Sequence, residues 1–148
     1  MVQRKIKLLV STHAFPTKYN PAAATFILNQ LQELKKYCEI KVIFPYAYVP
    51  KIKFLNPYYR FSKIKDKEVV DGIEVYHPKF FMIPRISFLS KFLNILITIE
   101  SFFSYQLSKS IVDKIMKDWN PDIVHIHGPF GDGLIGGRIK KKYKKPLI

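Results

Sequence analysis

A chain of 148 residues is long enough for one α/β domain, and its hydrophobic fraction of 48% excludes a disordered chain. The single cysteine, Cys38, excludes an intramolecular disulfide framework and any metal site built from several cysteines. Lys and Arg number 25 against 11 for Asp and Glu, a formal charge of +14. This excess indicates an anionic partner, which is a membrane surface, a phosphorylated substrate or a nucleic acid. A lysine-rich solvated surface explains the charge equally well.

The apolar stretches indicate neither a secretory signal nor a membrane-spanning helix. The run from Ile6 to Val10 is short and interrupted by Lys7, unlike the apolar region of a signal peptide. The most apolar stretch, Phe92 to Ile99, falls short of the roughly 20 residues that a spanning helix needs. We therefore expect a cytoplasmic protein that works, in part, at the inner face of the cytoplasmic membrane.

The segment from Lys5 to Phe44 predicts a βαβ unit. Lys5 to Val10 is a β-rich apolar run, which is typical of a buried strand. Beyond a proline-containing loop, apolar residues recur at helical spacing from about Ala22 to Tyr37. Glu39 to Phe44 is β-rich and apolar again. Because βαβ units build parallel sheets, we expect these two strands to be parallel.

The rest of the chain continues the alternation of strands and helices. Asp71-Gly72, between two apolar runs, predicts a hairpin turn. Ser87 to Lys117 has helical periodicity, as one helix or two, and Asp122 to His127 predicts another strand before a basic helix. The residues that share one line of the long helical segment are Phe88, Phe92, Ile95, Ile99, Phe102 and Gln106.

Pro146 to Ile148 has the pattern of the first residues of one more strand. So short a buried strand would leave most of its hydrogen bonds and its apolar face unused, so the pattern predicts an incomplete domain. The expected fold class is α/β, with a Rossmann-like, mostly parallel sheet and helices on both faces.

Two loops are candidates for a functional site, because ligands of open parallel sheets bind beyond the carboxyl ends of the strands. They are Ser11 to Pro21 and His127 to Gly133, and we expect them to face one crevice. His127 lies at the tip of its strand, where an imidazole can donate to a substrate hydroxyl and titrate near neutral pH. A histidine that caps the strand end by a backbone hydrogen bond is the alternative.

The other histidines have weaker functional signals. His125 shares a face with His127, and we expect it to be buried and structural. His13 could line the crevice, whereas His77, beside Pro78, is expected at the surface. The histidines lack the spacing of a metal site, so no metal is expected.

Glycine-rich and basic segments each have two interpretations. Gly128 and the glycines after it lead into a helix whose amides could hold an anion, or they serve a tight turn, and GPFGDG is no known phosphate-binding fingerprint. Tyr46 to Lys67 interleaves aromatics with lysines, which suits a membrane interface, single-stranded nucleic acid, or a loop packed by its own rings. We expect no nucleic-acid partner, since no binding motif accompanies the charge.

Five segments in order resemble the N-terminal domain of glycosyltransferase family 4. They are KIKLLVSTHAFP, AAATF, IKVI, VVDGIEVYHP and PDIVHIHGPFGDGLIGGRIKKKYKKPLI, which together extend over nearly the whole chain. The most specific piece is PDIVHIHGPF. The resemblance implies a retaining, metal-independent GT-B enzyme, in which two Rossmann-like domains face each other across a cleft.

In that arrangement residues 1–148 form an acceptor-side domain, incomplete at its C-terminal end, that binds no cofactor by itself. The C-terminal domain, which binds the UDP- or GDP-sugar donor, is absent, so this chain alone is expected to be inactive. The implied acceptor is a glycan or a lipid-linked glycan in surface polysaccharide or glycolipid synthesis, and an anionic membrane is a further expected partner. The alternative is a non-catalytic half-module that docks on a separate catalytic partner or on such a membrane.

The resemblance also implies roles for particular residues. His127 matches a histidine near the transferred sugar, and Gly128 follows it. Phe15 and Pro16 match the loop after the first strand and are expected to bind substrate, as is His13 from its position in the same loop. The substrate-binding positions Ala23 and Ala24 stand where the family has two glycines beside the donor phosphates. A Cβ at these positions crowds that approach, which puts donor affinity in doubt.

Overall fold

The computed structural model describes residues 4–47, 59–80, 93–128 and 132–148. The elements in these ranges are β1 (Ile6–Ser11), α1 (Thr25–Leu34), β2 (Cys38–Ile43), β3 (Tyr46–Ala47), a 3₁₀ helix (Tyr59–Lys63), β4 (Lys67–Val70), β5 (Ile73–Tyr76), β6 (Lys79–Phe80), α2 (Leu93–Asp118), β7 (Ile123–Ile126) and α3 (Asp132–Tyr143).

The main sheet has the strand order β4-β5-β2-β1-β7. The four strands β5, β2, β1 and β7 are parallel, and β4 is the antiparallel edge of a hairpin with β5. Leu147 forms a parallel bridge to Val124, and the Ile148 amide donates to the Val124 carbonyl at 3.0 Å. The predicted opening of a further strand is therefore confirmed, and so is the Rossmann-like, mostly parallel α/β class.

Alternating residues of β1 enter two cores, one on each face of the sheet. Leu8 and Val10 pack with Ile27 and Leu31 of α1. Leu9, which points to the other face, packs with a second set of buried residues from α2, β7 and α3: Val112, Ile115, Met116, Val124, Ile135 and Ile139. Because both faces of β1 are covered at Leu8, Leu9 and Val10, these three successive residues are all apolar, as is typical of parallel strands in α/β proteins.

The hairpin predicted at Asp71-Gly72 is confirmed. Both residues have positive φ, 47° and 75°, as a two-residue hairpin turn that follows the twist of the strands requires. Gln32 of α1 and Lys35, the residue after its end, each donate to the Asp71 carbonyl at 3.0 Å, so the hairpin is also tied to the helix.

Helix α1 is shorter than predicted at both ends. It begins at Thr25 because Ala24 has a left-handed backbone conformation (φ 47°, ψ 42°), which cannot continue a helix. It ends at Leu34, and the chain turns as far as Tyr37 before β2 begins.

Helix α2 is one continuous helix over the part that the structure describes, and residues 87–92 of the predicted segment lie outside that part. Its buried side consists of Tyr105, Ser108, Val112, Ile115 and Met116. The line of residues singled out from the sequence lies on another side, where Ile95, Ile99 and Phe102 are exposed. None of the helices in the described ranges has the length and apolarity needed to cross a bilayer.

Candidate functional site

The carboxyl ends of β1 and β7 are adjacent. Ser11 stands opposite Ile126 in the parallel register, and the His127 amide donates to the Ser11 carbonyl at 3.0 Å. The loops that follow these strands therefore start side by side, as the topology of a parallel sheet predicts.

A buried carboxylate, Asp132, joins the two loops. It is the first residue of α3 and is only 1% exposed. Ser11 Oγ donates to Asp132 Oδ1 at 3.2 Å, and His13 Nδ1 lies 3.0 Å from Asp132 Oδ2. Burial raises the pKa of the Asp132 carboxyl, whereas the hydrogen bonds from His13 and Ser11 oppose that rise.

His13 links this buried acid to solvent, since its side chain is 69% exposed. An ionised Asp132 can only accept a hydrogen bond, so His13 must carry a proton on Nδ1 to donate to it. In a neutral ring Nε2 is then the free acceptor. The pair can therefore take a proton from a hydroxyl group that lies over the sheet edge.

Gly128 leaves the space in which this pair meets. A Cβ at position 128 would lie 3.0 Å from His13 Nδ1 and 3.3 Å from Asp132 Oδ2, closer than a side chain ordinarily packs. The glycine is thus explained by the close approach of the His13 ring, whether or not its amide also contacts a substrate.

His125 and His127 share one face of β7, as predicted. Their rings are stacked, with centroids 4.4 Å apart and an interplanar angle of 25°. Burial lowers the pKa of both imidazoles, and the neighbouring His125 and His13 lower the pKa of His127 further. His127 Nε2 is buried and has no hydrogen-bond partner among the described residues. His125 is partly rather than fully buried.

The prediction that His77 lies at the surface is wrong, because its side chain is 0% exposed. Its ring nitrogens lie 3.2 Å from the Phe44 carbonyl and 2.9 Å from Glu68 Oε1, so the buried imidazole has a partner on both sides. The alternation Ile73, Val75, His77 on the inner face of the hairpin strand was the signal that could have predicted this position.

The remaining predicted site residues lie around the same edge. Phe15 is 1% exposed and belongs to the core on the α1 side, and Pro16 is also buried, so both anchor the first loop from beneath. Ala23 and Ala24 are partly buried in the turn before α1. Ala24 keeps the left-handed conformation that glycine adopts without strain.

Two members of this site, Ser11 and Asp132, were not predicted. The one available signal was a lone carboxylate inside the glycine-rich corner GPFGDG, placed to begin a helix. No group of three or more His, Cys, Asp or Glu side chains in the described ranges is arranged to hold a metal ion.

No protein-family model matches the chain, and no curated protein matches it. The chain is similar to the structure of CalG4, the calicheamicin glycosyltransferase, with a TM-score of 0.52 and 10% identity over 98% of this chain. It spans about a third of that protein (32%). Two structures of the C-terminal domain of a hydrogenase from Pyrococcus furiosus each have a TM-score of 0.48 and 15% identity, over 97% and 100% of this chain and 89% and 95% of theirs. At this identity the likeness to CalG4 shows the fold alone, which is Rossmann-like.

Proposed function

We propose that the chain is the N-terminal, acceptor-side part of a glycosyltransferase that resembles family 4. The enzyme moves a sugar from a nucleotide-sugar to a hydroxyl group of a glycan or lipid-linked acceptor. The single observation that carries the proposal is the His13–Asp132 pair at the carboxyl edge of the sheet, beside the His127 loop. The order of the family-like segments and the similarity of fold to a glycosyltransferase support it.

In this proposal the acceptor hydroxyl lies over the carboxyl ends of β1 and β7. Nε2 of His127 has no hydrogen-bond partner among the described residues, and the pKa of the imidazole is lowered, so at neutral pH His127 can share a hydrogen bond with the transferred sugar. The donor, a UDP- or GDP-sugar, is held by a second domain beyond Ile148, with its phosphates near the turn at Ala23 and Ala24. No metal or bound cofactor is required.

Two stereochemical courses are open to such a site. The resemblance implies retention, in which the departing phosphate takes the acceptor's proton and the protein needs no base. The His13–Asp132 pair favours a second course, because a base beside the acceptor hydroxyl assists direct displacement with inversion. The anomeric configuration of the product, measured by proton NMR, distinguishes the two courses.

The proposed function is tested with the complete gene product that contains this chain. Membranes or glycan acceptors are incubated with labelled UDP- and GDP-sugars, and label transfer is followed. Replacing either His13 or His127 with Ala is expected to lower kcat about a hundredfold or more. The control is Lys18→Ala, which removes an exposed cation from the same loop.

Transfer that is unaffected by both histidine substitutions would contradict the proposed site. If no sugar nucleotide is used at all, the enzyme proposal fails, and the half-module that docks on a separate catalytic partner takes its place. The biological setting proposed here, surface polysaccharide or glycolipid synthesis on the cytoplasmic side of the membrane, is tested by the identity of the labelled product.

A further inference from the structure

The first half of α2 carries large apolar side chains that face solvent. Five of them share one side of the helix and form what we call the α2 stripe: Ile95, Ile99, Phe102, Phe103 and Leu107, each between 38% and 58% exposed. Phe102 and Phe103 contact each other edge to face, with ring centroids 6.0 Å apart. The side of α2 that packs on the sheet lies elsewhere on the helix, so the stripe contributes nothing to the core.

The stripe stops abruptly along the helix. The row that begins with Phe103 and Leu107 continues, at helical spacing, with Ser110, Lys114 and Lys117, all of them exposed and polar. An ordinary surface helix would keep polar residues on this side throughout. Only the first half of α2 therefore has an apolar surface without a partner in the described part of the chain.

The apolar half of α2 lies towards the candidate site. Helix α2 leads into the parallel strand β7, so it runs antiparallel to the sheet and its first half lies at the carboxyl edge. A helix of 26 residues is about 39 Å long, whereas a strand of 6 residues is about 20 Å long. The helix must therefore project past the edge that carries His13 and His127.

Two cations border the stripe. The Arg138 guanidinium lies 5.3 Å from the centre of the Phe102 ring, and Lys109 is exposed about two turns further along the helix. The whole chain carries a formal charge of +14. Aromatic rings bordered by cations are the composition of surfaces that enter the headgroup region of anionic bilayers.

We infer that the α2 stripe docks on an anionic lipid bilayer and holds the carboxyl edge of the sheet against it. From Ile95 to Leu107 the stripe is about 18 Å long and one-sided, which suits a helix lying in the membrane plane. A second copy of the chain is a poor occupant, because two surfaces of high positive charge repel each other. The inference rests on the proposed function in one respect, that the acceptor is lipid-linked.

The inference is tested by co-sedimenting the chain with vesicles of phosphatidylglycerol and phosphatidylcholine, and with vesicles of phosphatidylcholine alone. We expect binding to the anionic vesicles that weakens with added salt. The double variant Phe102→Ser, Phe103→Ser should lower the partition coefficient roughly tenfold or more, because partitioning follows the apolar area that enters the interface. The matched control is Phe26→Ser on α1, since Phe26 is 68% exposed but lies on the opposite face of the sheet.

Four results would overturn the inference. They are equal binding to neutral vesicles, no binding to anionic ones, an undiminished partition coefficient in the double variant, and an equal loss in Phe26→Ser. A stripe-dependent dimer in analytical ultracentrifugation, or capture of an oligonucleotide in place of vesicles, would also replace it. Because the assay contains no sugar nucleotide, a failed transferase assay with intact vesicle binding contradicts the proposed function and leaves the docking surface standing.

Discussion

His13 Nδ1 lies 3.0 Å from Asp132 Oδ2, although 119 positions separate the two residues in the chain. The contact joins the loop after β1 to the start of α3, across the carboxyl ends of two adjacent parallel strands. One partner is buried and the other largely exposed, so the contact links the interior of the domain to the solvent above the sheet.

Asp132→Asn is expected to raise the free energy of unfolding at neutral pH. Burial raises the pKa of the Asp132 carboxyl, so the ionised group opposes folding. The wild-type chain should therefore lose stability relative to the variant as pH rises from about 3.9, the pKa of the carboxyl in the unfolded chain, to its higher pKa in the folded chain. Above the folded pKa the difference in stability should stay constant. Denaturant unfolding of both proteins across this pH range measures the difference.

The same substitution should impair the site, since an amide cannot fix the His13 tautomer as a carboxylate does. In the glycosyltransferase that we propose, we expect kcat to fall about a hundredfold or more while the fold persists. Ser11→Ala serves as the control, because it removes the other hydrogen bond to Asp132 and leaves the histidine contact in place. A variant that is less stable than wild type at neutral pH would show that the lost hydrogen bonds outweigh the relief of burial.

Gly128→Ala is expected to separate His13 from Asp132. The added Cβ would lie 3.0 Å from His13 Nδ1, and the exposed ring can move outward to avoid it. We expect a cost of about 1 kcal/mol in unfolding free energy and the loss of the His13 Nδ1 hydrogen bond in nitrogen NMR spectra. Gly137→Ala in α3 is the matched control, since its Cβ would meet nothing within 4 Å. An unchanged His13 spectrum in Gly128→Ala would contradict the crowded geometry.

Ala24→Gly should stabilise the chain by roughly 0.5–1 kcal/mol, because Ala24 has a φ of 47° that costs a residue with a Cβ more than it costs glycine. Ala23→Gly, one residue earlier and without a positive φ, should instead destabilise it, since there glycine only loses conformational freedom. Urea unfolding of the two variants gives both signs. Destabilisation in both variants would mean that the turn before α1 is not strained.

The chain is expected to lose stability as pH falls below about 6.5, the unfolded histidine value. Burial lowers the pKa of His127 and of His125, so the folded state binds fewer protons than the unfolded one in this range. Such groups contribute stability that is complete above the unfolded pKa and is lost as pH falls through the folded pKa. Thermal unfolding measured at several pH values should show this slope, and His127→Gln should reduce it. The same slope in the variant would exclude His127 as a contributor.

Most of the parallel sheet could be predicted from local patterns. The β-rich runs, the Asp71-Gly72 turn and the strand opening at Pro146 each depend on neighbouring residues, and each occurs where it was predicted. The start of α1 was predicted too early, because Ala24 has a left-handed backbone that its residue type does not indicate. The error at His77 arose because the residue looks polar by itself, although Glu68 on the neighbouring strand satisfies it.

By itself the sequence determined the order of strands and helices, and with it the sheet edge at which a ligand would bind, because periodicity and turn chemistry act over a few residues. Only the tertiary structure decided which side chains meet there. The glycines beside Asp132 do not indicate its partner, and Asp132 meets His13 because two parallel strands end side by side. The α2 stripe has the helical periodicity of a core face, and only the position of the sheet determines that a different side of the helix is buried.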